Sequence, residues 1–159
     1  MRTLKLFCCF ALVSGWLMPV AQAAGQTVTA PGFYLKNNDT VVFYGDSITE
    51  QNYYNQWVEL YVATRFPSMR VHFYGAGVGG DRVSGGGGGT IDERLARDVF
   101  PLKPTVITVM LGMNDGAYQP TTDAIQTAYV TGYEHILASI HANAPAARVR
   151  CWGHRRSTM

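Results

Sequence analysis

Three short apolar, β-branched runs, Thr40 to Tyr44, Arg70 to Tyr74 and Thr105 to Leu111, are each followed at once by a glycine. Continuous runs of this length predict strands buried on both faces of a parallel sheet. Between them the period changes. Tyr54, Trp57, Val58 and Tyr61 recur at helical spacing until Pro67, and Ile125, Tyr129, Tyr133, Ile136, Leu137 and Ile140 form a second stripe that stops before Pro145. A weaker helical pattern covers Ile91 to Val99, and Ala147 to Arg150 begins a fourth strand. Alternating strands and helices predict an α/β domain with right-handed crossovers and helices on both faces. Ligands of such sheets bind beyond the carboxyl ends of the strands, so the segments after the three glycines converge on one crevice.

The ends of the chain change the picture. Arg2 and Lys5, the apolar run from Leu6 to Met18 and the small-x-small site Ala21-Gln22-Ala23 predict an export signal over residues 1–23. A spanning helix needs about 20 apolar residues, so no stable membrane anchor is expected after cleavage, and the location is periplasmic or extracellular. Cys8 and Cys9 leave with the signal. Cys151 then stands alone, so the fold rests on packing rather than a disulfide. Loss of Arg2 and Lys5 also brings the 13 basic side chains level with the 11 acidic ones. That balance argues against nucleic acid or an anionic membrane as partner and leaves a small-molecule role.

The chemistry lies in three glycine-led segments. In Gly45-Asp46-Ser47-Ile48-Thr49, Ser47 sits where strand turns into helix, so its hydroxyl projects into the crevice as a nucleophile would, with its N–H beside it. Thr49 replaces the second glycine of a Gly-x-Ser-x-Gly elbow, which excludes the α/β-hydrolase signature. The plain alternative for Ser47 is a helix N-cap. In Gly77-Val78-Gly79-Gly80-Asp81, Gly80 permits a positive φ and close approach of its N–H to a substrate oxygen; the alternative is an ordinary turn glycine. In Gly112-Met113-Asn114-Asp115, the Asn114 amide is a third donor for a tetrahedral oxyanion; the alternative is an Asn-Asp turn. Asp46 and Asp115 read as turn organisers, and Asp81 and Arg82 either pair with each other or hold the second loop in place.

Taken together, Ser47, Gly80 and Asn114 in this order resemble the GDSL family of esterases and lipases, also called SGNH hydrolases, over about Thr40 to Val149. The resemblance implies a three-layer α/β/α flavodoxin-like fold and hydrolysis of small-molecule or glycan esters through an acyl-enzyme, with no metal and no organic cofactor. It places the nucleophile at Ser47, the backbone donor at Gly80 and the side-chain donor at Asn114.

The family's closing Asp-x-x-His block does not occur. His72 falls in a strand and His135 and His141 on the second long helix, as packing or surface residues, while His154 lies in the polar tail Cys151 to Met159. Reread from the third base of the Cys151 codon, that tail is forced to begin Leu-Gly and permits Pro-Ser-Pro-Phe-Asp-Asp, the kind of segment that follows the fourth strand in bacterial members. The expectation is therefore a signal over 1–23, a partial hydrolase domain over 24–150 without its last strand and helix, an out-of-frame tail over 151–159, and near-inactivity of the literal chain.

Two rivals stand beside this reading. One is a secreted remnant that binds esters or glycans without turnover. The other rests on Gly75-Ala76-Gly77-Val78-Gly79-Gly80, which spells the dinucleotide-binding Gly-x-Gly-x-x-Gly but leads into Gly85 to Gly89 instead of a helix. That glycine run is either a movable loop over the site or a flexible connector. Tyr53, Tyr54, Trp57 and Tyr118 read as core or half-buried packing rather than a sugar-binding or acyl-binding wall.

Overall fold

The computed structural model describes residues 32–152. In chain order it comprises β1 (Asp39–Gly45), α1 (Ser47–Glu50), α2 (Tyr53–Arg65), β2 (Val71–Gly77), a two-residue hairpin of β3 (Gly85–Gly86) and β4 (Gly89–Thr90), α3 (Ile91–Arg94), β5 (Val106–Met110), α4 (Asp123–Asn143) and β6 (Arg148–Cys151). A π-helical turn, Leu95–Val99, and a 3-10 turn, Phe100–Leu102, continue α3. The predicted export signal and His154 lie outside the described residues.

The four long strands run parallel in the order β2-β1-β5-β6. Side chains of β1 alternate between two cores. Val41 and Phe43 pack with Val62 of α2 on one face, whereas Val42 and Tyr44 pack with Leu95, Val99, Ile136 and Ile140 on the other. The period-two alternation of a strand thus makes a three-layer α/β/α sandwich. The first crossover places β2 on one side of β1, and the next carries the chain across to β5 on the other. This reversal opens a crevice at the carboxyl end of β1, with Ser47 just beyond it.

Several expectations are corrected. β2 is an edge strand, and His72 and Tyr74 are exposed rather than buried. On α2 the core takes Tyr54, Asn55, Val58 and Val62. Tyr53, Trp57 and Tyr61 are 69%, 70% and 53% exposed, so of the four aromatic residues read as packed only Tyr54 is half-buried; Tyr118 is 83% exposed. Gly75 to Gly77 finish β2, and Gly79 and Gly80 form a turn before the glycine hairpin, so the Gly-x-Gly-x-x-Gly motif opens no helix. Among the described residues no helix is long and apolar enough to cross a membrane.

Candidate active site

β1 delivers Ser47 to the crevice because Gly45 lets the strand end tightly. A Cβ there would stand 2.6 Å from the Met110 carbonyl oxygen and closer still to Thr49 Oγ1. Asp46, not Ser47, is the N-cap of α1: its Oδ1 accepts the Ile48 N–H at 3.0 Å. Ser47 is half-buried, and neither its hydroxyl nor its backbone N–H makes a hydrogen bond among the described residues. The N-cap alternative for Ser47 therefore falls, and its hydroxyl is left unengaged among the described residues.

The loop after β2 lies against this turn. A Cβ on Gly79 would come within 4.0 Å of the Ser47 Cβ. Gly80 follows with φ +77° in a turn closed by Asp81 N–H to the Val78 carbonyl at 3.3 Å, and its own N–H has no partner among the described residues. Nothing crowds a Cβ at Gly80, so the positive φ is what calls for glycine. After β5, Asn114 is half-buried and its Nδ2 donates to the Asp81 carbonyl at 2.9 Å. One of its two amide hydrogens is thereby spent on orientation and the other is left for a ligand. Asp115 Oδ1 accepts the Val83 N–H at 3.0 Å, a second tie between these loops. Burial raises the Asp115 carboxyl above its ordinary range, against the pull of that hydrogen bond and of Arg82.

Asp81 pairs with Arg94, correcting the expected Asp81–Arg82 pair. Both side chains are fully buried. Burial raises the Asp81 carboxyl, and the Arg94 charge works against that rise. Arg94 carried no signal of its own in the sequence: one arginine in a short helical stripe reads as a solvated charge. Asn55 was missed likewise. It is buried, and its Nδ2 donates to Thr49 O at 3.2 Å and to Asn52 Oδ1 at 2.8 Å, which fixes the exit from α1.

A mostly apolar cavity of about 720 Å³ opens beside the three segments. Asp46 and Ile48 flank it at the Ser47 turn, and Leu111, Ile125, Tyr129 and Trp152 are among the residues that line it. Ser47, Gly80 and Asn114 stand at its border rather than in its wall. None of the described histidines reaches them. His72 is in register with Thr40, near the opposite end of β1 from Ser47; His135 is exposed and bonds Asp92 at 3.0 Å; His141 is in the last turn of α4. No cluster of three metal-ligating side chains exists among the described residues.

A parallel α/β/α sheet with a serine at its switch point is the layout of a ligand-binding α/β fold. The sequence profile of the GDSL-like lipase/acylhydrolase family matches residues 43–157, and the chain belongs to that family. Among solved structures it is similar to a gut microbial diltiazem-metabolizing enzyme, at 28% identity and TM-score 0.62, over 74% of this chain and 27% of that one. It is also similar to Axe2, an acetylxylan esterase from Geobacillus stearothermophilus, at 20% and 0.59, over 75% and 61%. The acetyl xylan esterase AlAXEase follows at 23% and 0.55, over 70% and 56%. The two esterases bear on the fold alone. The chain spans less than two thirds of the length of each of these proteins. A comparison with curated sequences finds no match.

Proposed function

We propose that this chain carries the nucleophile and oxyanion hole of an exported serine ester hydrolase. Ser47 Oγ attacks the ester carbonyl, and the oxyanion is met by the Ser47 and Gly80 N–H groups and the second N–H of the Asn114 amide. The alcohol leaves, and water releases the acyl group from Ser47. The observation that carries this reading is the hydrogen bond of Asn114 to the Asp81 carbonyl, which brings a side-chain donor to the same turn as the partnerless Gly80 N–H. The apolar cavity bordering Ser47 receives the acyl group. Family membership favours a small-molecule or glycan ester.

His72 lies opposite Thr40, His135 is bonded to Asp92 and His141 ends α4, so the general base of this proposal comes from outside the described residues. The first 23 residues support export, and the shifted frame from Cys151 supports a base encoded beyond a frameshift. The placement of those histidines equally favours a binding module that no longer turns over its ester. One assay separates the readings. The chain as written and a frame-restored chain are given p-nitrophenyl acetate, with Ser47→Ala controls and with imidazole as an external base. A Ser47-dependent rate that rises with imidazole in the first chain, and without it in the second, supports the hydrolase. Rates left unchanged by Ser47→Ala in both chains refute it.

A further inference from the structure

We propose that Arg94 is the positioning residue of the oxyanion hole, setting both the Gly80 N–H and the Asn114 amide through Asp81; this rests on the reading of Ser47, Gly80 and Asn114 given above. The Arg94 side chain is fully buried, and each part of its guanidinium is engaged. Nη1 binds the Asp81 carboxylate, Nε donates to Asp98 Oδ2 at 2.8 Å, and Nη2 donates to the Ala76 carbonyl of β2 at 2.6 Å. The guanidinium carbon lies 5.0 Å above the ring of Tyr44 in β1. One side chain thus ties the loop after β2 to the two strands beneath it.

Packing alone does not explain an arginine here. Its neighbours Leu95 and Val99 are fully buried apolar residues, and an ion pair in such a place is at best a weak source of stability. What the pair fixes is geometry. Asp81 stands next to Gly80, whose φ of +77° aims its N–H, and the Asp81 carbonyl orients Asn114. Asp81 Oδ1 has no partner among the described residues, so Arg94 alone holds that carboxylate. With the guanidinium gone, the buried carboxylate turns toward water or takes up a proton, and either way its tie to the strands is lost. The turn then shifts on both sides of that side chain, moving the Gly80 N–H before it and the Asp81 carbonyl that orients Asn114 after it. Lysine cannot reproduce a fork that reaches three acceptors at once.

The test is a stopped-flow burst with p-nitrophenyl acetate and imidazole on the full chain. Burst amplitude counts folded sites, the apparent substrate affinity reports ground-state binding, and the acylation rate constant reports the hole. For Arg94→Lys the rate constant is expected to fall on the order of 10- to 100-fold, with amplitude and affinity kept. Asp81→Asn, which retains the carbonyl that orients Asn114, is expected to do the same and serves if Arg94→Lys does not fold. Combined with Asn114→Ala, either change should cost less than the product of the single effects. Unchanged rate constants in folded variants, or strictly multiplicative losses, overturn the positioning role. A burst that survives Ser47→Ala shows instead that the underlying reading is wrong, and the positioning role goes with it.

Discussion

Asn114 Nδ2 donates to the main-chain carbonyl of Asp81 at 2.9 Å, joining two loops that leave different strands and lie 33 residues apart. The turn here satisfies its backbone locally, and the Asn114 side chain in addition reaches the loop after β2 on the far side of β1. The long-range bond is what distinguishes a site from a turn.

Asn114→Ala removes both that tie and an oxyanion donor. The Ser47-dependent acylation rate is expected to fall on the order of 10²- to 10³-fold, as for other lost oxyanion donors. Steady-state hydrolysis with imidazole checks this, and a change of less than about threefold would exclude Asn114 from the hole.

The glycines at 45 and 80 should respond differently to alanine. At Gly80 the added Cβ meets nothing within 4 Å, so only the positive φ is penalised, at about 1 kcal/mol. At Gly45 it stands 2.6 Å from the Met110 carbonyl oxygen, and β1 must move from β5 to admit it. The expected loss there is about 3 kcal/mol or more, as for overpacked cores. Urea unfolding of the two variants checks the contrast, which equal midpoints would contradict.

Asp39 anchors the start of β1 to the last described strand through the Arg148 guanidinium. Burial pushes its carboxyl up, but the Lys36 N–H, the Thr105 hydroxyl and Arg148 outweigh it and hold it below its ordinary value. A carboxyl depressed in the folded state contributes stability above its unfolded pKa of about 4, and that contribution is lost as pH falls through the lower folded value. Asp39→Asn should therefore lower Tm at pH 7 and flatten the decline of Tm between about pH 5 and pH 3. Parallel Tm curves for the two proteins would remove Asp39 from the acid response.

The cavity makes a prediction about substrates. Val130, 45% exposed on α4 at the cavity wall, can be enlarged without disturbing the core. Val130→Trp should lower the ratio of butyrate to acetate ester hydrolysis roughly tenfold while Tm holds. An unchanged ratio would place the acyl group elsewhere.

Much of the fold was legible because β1 and β5 are buried on both faces, and an unbroken apolar run has no other soluble home. β2 has a similar composition and misled: its edge position follows from the strand order, which local sequence does not encode. On α2 the helical period was right but the face was not. Tyr54, Val58 and Val62 meet β1, whereas Trp57 and Tyr61, equally apolar, face outward.

By itself the sequence determined the α/β alternation, the family, and the three segments holding Ser47, Gly80 and Asn114, because each needs only a residue type at a strand end. Tertiary structure decided the rest. It gave the N-cap to Asp46 and freed the Ser47 hydroxyl, it paired Asp81 with Arg94 rather than with its neighbour Arg82, and it aimed Asn114 at the Asp81 carbonyl. Those choices depend on which loops the strand order brings together, and a buried charge declares its partner only once the chain has closed around both.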